Sequence, residues 1–185
     1  MNESRLNVFI LGDKLSAREK ERLQAQLQTA IRTLPQWTLD LLQRRIDELG
    51  IRNLAVIIEP KAEGKANGQS LSLGEIEGRP AVRLTPRITE SGLEWGQDRR
   101  YLLAKAVAYL ATPPAGDYDF WSRWREAVDS DGLRDLATSA GDGWAKETEL
   151  GLLIEIFAAY AINPRHGRWS GLPAIRTFLE TWRAV

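Results

Sequence analysis

Cysteine is absent from the chain and histidine occurs once, as His166. The first absence excludes disulfide staples, thiolate metal sites and a cysteine nucleophile, and the second excludes a multi-histidine centre within one chain. Long apolar runs are also missing. None approaches the roughly 20 residues that a helix needs to cross a bilayer, and Glu3 precedes the short run 6–11 where a secretory leader would carry basic residues, so a cytoplasmic chain is expected. Neither sign of charge is in excess, because 25 Lys and Arg residues offset 25 Asp and Glu residues. No long-range field draws the chain to anions, and neither nucleic acid nor a membrane is expected as a partner.

The 185 residues, 43% of them hydrophobic, suffice to bury a substantial core. Their number points to a single domain over 1–185, with an α/β part over 1–97 and a helical part over 98–185. Residues 6–11 read as a strand closed by Gly12-Asp13. Ser16 is placed to cap a helix running to about Leu34, Glu19 completes a capping box, and Leu23, Leu27, Ala30, Ile31 and Leu34 supply the apolar stripe. Pro35 opens a second helix whose stripe is Leu39, Leu42, Ile46 and Leu49 and which ends near Gly50. Residues 54–58 have the branched composition of a central strand. The polar stretch 61–68 reads as an exposed loop, 70–84 as a hairpin turning at Glu77-Gly78-Arg79, and 86–97 as a connection. Helices are predicted over about 98–111, 118–128, 133–137, 146–162 and 172–182, the first stopped by Thr112-Pro113-Pro114. Strands early and helices late predict an α+β fold, in which strands centred on Val8, Val56, Leu73 and Val82 join one small mixed sheet packed against helices.

Little in the chain matches a known catalytic pattern. Gly64, Gly68, Gly74 and Gly78 lack the strand-to-helix context and the Lys-Ser/Thr pair of a phosphate-binding loop. His166 lies in the polar run 163–168 and reads as a solvated loop residue, with no serine in a nucleophile elbow. Glu155 is more unusual, since apolar residues surround it on its helix, and an ionised carboxylate in such a place needs a partner. Lys105 poses the same question with the opposite sign, and Tyr109 lies one turn further on the same side. Trp121, Trp124 and Tyr118 read mostly as core packing. Part of that stripe, with Trp95, is a candidate groove lining or subunit contact, and seven tryptophans leave a homodimer open.

The order of two helices, a strand, a hairpin, a helix and a later long helix resembles the zincin-like fold of metallopeptidases. In that family an HExxH helix binds zinc through two histidines and activates water through its glutamate. The matching segment here is 102–110, with Lys105 and Tyr109 at the histidine positions and Ala106 at the general base. The segment 155–161, led by Glu155, resembles the gluzincin helix of the anthrax lethal factor catalytic domain and small related peptidases, and Asn163-Pro164 with Leu172-Pro173 and Phe178-Leu179 resembles their closing region. The resemblance implies a pseudoenzyme without metal or other cofactor and without zinc-dependent peptidase activity. Such a chain would act as a protein- or peptide-interaction module, with Lys105 taking the place of the lost metal opposite Glu155. The alternative is a non-metal enzyme using Lys105, Tyr109 and Glu155 in a pocket.

Overall fold

Short runs of branched residues gain most by lying in the middle of a sheet, and the runs 54–58 and 81–84 do so. The computed structural model describes residues 6–11, 15–51, 54–59, 61–62, 71–76, 79–84, 87–89, 92–94, 98–133 and 148–184. Strands β1 (Leu6–Ile10), β2 (Leu54–Ile58), β4 (Leu71–Ile76) and β5 (Arg79–Leu84) form a four-stranded sheet in the order β1-β2-β5-β4. The first three are parallel neighbours and β4 runs antiparallel to β5. Val8, Val56, Val82 and Leu73 occupy one cross-strand row, so the four predicted strands do share one mixed sheet. Parallel pairing of β1 and β2 requires a crossover, which two helices provide.

A second sheet departs from the prediction. Strands β3 (Lys61–Ala62), β6 (Arg87–Thr89) and β7 (Gly92–Glu94) pair in the order β3-β6-β7. The start of the expected loop over 61–68 is therefore paired, and the expected connection over 86–97 contains a small hairpin. Strands of two or three residues are shorter than the run of about four or more over which alternation shows, and this is why the sequence hides them.

Helix α1 (Ala17–Arg32) begins at the predicted capping box: Ser16 Oγ accepts from the Glu19 N–H at 3.3 Å, and Glu19 Oε2 accepts from the Ser16 N–H at 2.8 Å. Its buried stripe is Leu23, Leu27 and Ile31, and it packs against β1. Helix α2 (Gln36–Leu49) ends at Gly50, whose φ of 63° is the left-handed conformation that terminates helices. Its buried face is Thr38, Leu41, Leu42 and Ile46, rotated from the predicted stripe; Leu39 is half-buried and Leu49 is 38% exposed. The rotation follows from its neighbour, because α2 packs on helix α3 (Arg99–Ala111), and α3 lies against both α1 and β5. Val8, Val56, Ile58, Val82 and Leu84 are buried on one side of the sheet by strand alternation, with Ala55, Ile57 and Ala81 buried on the other and Phe9 packed beside them.

Two compact units divide at Ala111/Thr112, so α3 belongs with the sheet. The second unit holds α4 (Tyr118–Ser130), α5 (Glu149–Ile162), a 3-10 turn (Gly167–Gly171) and α6 (Pro173–Ala184). Asp117 and Thr148 cap α4 and α5 through their side chains. Aromatic rings bind these helices together, with Phe120 and Trp124 of α4 about 5 Å from Phe178 of α6, and Phe157 of α5 at 5.2 Å from Trp182. Of the expected short helix over 133–137, all but Leu133 lies outside the described residues. His166 is exposed, and its Nδ1 accepts from the Arg168 N–H at 3.1 Å, so the lone imidazole caps the 3-10 turn.

Candidate functional site

Helix α3 carries residues 102–110, the segment whose sequence prompted the zincin expectation. Eight of its 13 residues are buried, which leaves one half-buried ridge, Tyr101, Lys105 and Tyr109, at four-residue spacing. The Lys105 ammonium stands 5.9 Å from the centre of the Tyr101 ring, within the range of a cation–π attraction. Ala106, expected at the general-base position, is fully buried. Glu155 occupies the equivalent half-buried place on α5, between buried Ile154 and Ile156. Lys105 and Tyr109 thus belong to the first unit and Glu155 to the second. Among the described residues no group of three or more His, Cys, Asp or Glu side chains could hold a metal ion.

The four aromatic candidates have separate places. Trp95 lies outside the described residues. Trp124 is fully buried against Phe178 and belongs to the core, not to a groove wall. Its Nε1–H is buried without a hydrogen-bond partner among the described residues, which costs about 1–3 kcal/mol. Trp121 is half-buried and donates to the Pro114 carbonyl at 3.1 Å, and Tyr118 beside it is 80% exposed.

A polar cluster in the second unit escaped the sequence reading. Glu180 Oε1 accepts from the Tyr160 hydroxyl at 3.2 Å and from Arg176 Nε at 2.9 Å. The hydrogen bond from Arg176 holds the Glu180 carboxyl below its ordinary range, while burial and then the Glu180 charge push the Tyr160 phenol up. A phenol so placed keeps its proton at neutral pH and cannot serve as a base. The cluster therefore pins α5 to α6. Arg176 and Glu180 are readable as an i, i+4 pair, but nothing in the sequence marks Tyr160 as their partner.

Among the described residues, strand β4 is an edge of its sheet, and its backbone orientation follows from two facts. The Leu84 carbonyl accepts from the Glu59 N–H at 2.9 Å, on the β2 side of β5, and Pro80 has no N–H to donate. The polar groups of Pro80, Val82 and Leu84 therefore face β2, and those of Arg79, Ala81 and Arg83 face β4. Through the register, Ser72, Gly74 and Ile76 bond to β5, whereas Leu71, Leu73 and Glu75 present their N–H and C=O groups to the open side. At the opposite edge, α1 packs against β1. No helix among the described residues is long and apolar enough to cross a membrane. Comparison of the chain with known protein families, curated proteins and solved structures gives no match.

Proposed function

We propose that the chain is a non-catalytic protein- or peptide-interaction module, a zincin-like pseudo-metallopeptidase of the gluzincin type. The observation that carries this reading is the edge of β4, which no strand among the described residues covers. Its six residues offer alternating outward donors and acceptors at Leu71, Leu73 and Glu75, which is what an added strand requires. Main-chain bonds would supply affinity, and no reactive side chain is needed.

Residue chemistry supports the non-catalytic half. A buried methyl group at Ala106 cannot activate water, and neither a lysine at 105 nor a tyrosine at 109 supplies the imidazole ligand that a zinc site of this type uses. Selection of binders from a displayed library of random peptides against the full chain tests the proposal. Leu73→Pro removes a donor from the open side of β4, whereas Gly74→Pro removes one that holds β4 to β5. Leu73→Pro should leave the far-ultraviolet circular dichroism unchanged and abolish capture of the selected peptides. Peptides that bind Leu73→Pro as well as the parent chain, or a selection that yields none, would contradict the proposal.

A further inference from the structure

The only histidine of the chain sits where its protonation state decides a local structure. His166 precedes the 3-10 turn, and its Nδ1 accepts from the Arg168 N–H at 3.1 Å and from Arg168 Nε at 3.4 Å. An imidazole nitrogen accepts only while it carries no proton, so the neutral ring holds its proton on Nε2. A second proton, on Nδ1, would set a donor against the Arg168 N–H and a positive charge beside the guanidinium.

The turn holds Trp169 in place. This indole is 2% exposed, its Nε1–H donates to the Asn163 carbonyl at 2.8 Å, and its ring meets that of Tyr160 edge-on at 5.3 Å. The same Asn163 carbonyl accepts from the His166 N–H at 3.2 Å, and the His166 carbonyl accepts from the Trp169 N–H at 3.1 Å. Residues 163–168 are all exposed, so a few hydrogen bonds, not burial, fix the segment that delivers Trp169 to Tyr160.

Residues 163–172 carry Arg165 and Arg168 and no carboxylate. Helix α6 packs against the turn, and α5 meets it through Tyr160. The charged and titratable groups there are Tyr160, Glu180, Arg176 and Arg183, with Glu180 accepting from Tyr160 and Arg176; Glu149 and Glu155 stand further from that end of α5. Arg176 holds the Glu180 carboxyl below its ordinary range and burial raises the Tyr160 phenol. Neither therefore changes charge where an imidazole does, between about pH 5 and 8.

We propose that His166 is an acid-sensitive latch, which closes the 3-10 turn and seats Trp169 on Tyr160 when neutral and releases the turn when protonated. The acceptor exists only in the neutral ring, so the closed turn is favoured above the imidazole range and lost as pH falls through it. Repulsion among the imidazolium, Arg165 and Arg168 adds to the loss of the acceptor.

Nuclear magnetic resonance of the full chain tests the latch, because a single histidine makes the imidazole signals unambiguous. At about pH 8 the ring should carry its proton on Nε2, and the Arg168 amide and the Trp169 indole N–H should be protected from exchange. At about pH 5 both protections, each taken against the intrinsic rate at that pH, should fall about tenfold, the size of a lost cap. His166→Asn supplies a capping acceptor that does not titrate and should keep the protection at both pH values, whereas His166→Ala should lack it at both. The side chain is exposed, so neither substitution disturbs the core. A neutral ring protonated on Nδ1, equal protection at the two pH values, the same pH dependence in His166→Asn, or protection that survives in His166→Ala would overturn the inference.

Discussion

Asp131, the residue that ends α4, accepts from the backbone N–H groups of Ala174 at 3.1 Å and Ile175 at 2.7 Å in the first turn of α6. The Leu172-Pro173 start of α6 offers no side-chain oxygen of its own, so a carboxylate 43 residues away supplies the cap. Removing a local cap costs about 0.5–2 kcal/mol, and hydrogen bonds to a charged acceptor contribute about 1.5–3 kcal/mol. Asp131 is half-buried, so water replaces part of what is lost, and Asp131→Ala should destabilise the second unit by about 2 kcal/mol. Asp131→Asn keeps one neutral acceptor and should cost about half as much. Urea unfolding followed by tryptophan emission measures the change, and amide exchange at Ala174 and Ile175 localises it. A loss below about 0.5 kcal/mol with unaltered exchange at those two amides would refute the assignment of Asp131 as the cap of α6.

Three further outcomes follow from local geometry. Gly50→Ala should cost about 1 kcal/mol, because φ is 63° and nothing lies within 4 Å of the added Cβ, so the penalty is conformational alone; Gly116→Ala, also in open space but without a positive φ, should be near neutral in the same urea assay. The Tyr160 phenol is raised in the folded state, so the folded chain holds this proton more tightly than the unfolded one and its contribution is intact below the ordinary pKa of 10.0 and lost as pH rises beyond it; Tyr160→Phe should flatten that alkaline loss of stability. Incubation with zinc and a broad peptide mixture should give no metal-stimulated cleavage, and cleavage that survives removal of contaminating proteases would count against the non-catalytic reading.

What could be read from the sequence was what local periodicity and burial share. The row Val8, Val56, Val82 and Leu73 was legible because each residue sits at the centre of an apolar run long enough to show its period. Ser16 and Glu19 announced α1 because a capping box acts over three residues. The stripe of α2 was misplaced because its buried face is set by α3, some 60 residues further along, and not by its own sequence. The same separation hid the polar cluster of the second unit, where Tyr160 meets Glu180 across 20 residues. Lys105 and Glu155 stood out as charges on apolar helices, yet that pattern marks only that each needs accommodation. The open groups of β4 were illegible for another reason: which backbone N–H faces outward depends on the parity of pairing, and it took the Glu59–Leu84 bond and Pro80 to set it.

Amide hydrogen exchange along β4, with and without a selected peptide, tests the interaction reading most directly. In the free chain Ser72, Gly74 and Ile76 should exchange slowly and Leu71, Leu73 and Glu75 quickly, since only the first set is bonded to β5. Bound peptide should slow Leu71, Leu73 and Glu75 at least tenfold and leave the other three as they were. Binding that leaves Leu71, Leu73 and Glu75 in fast exchange would contradict strand addition at this edge.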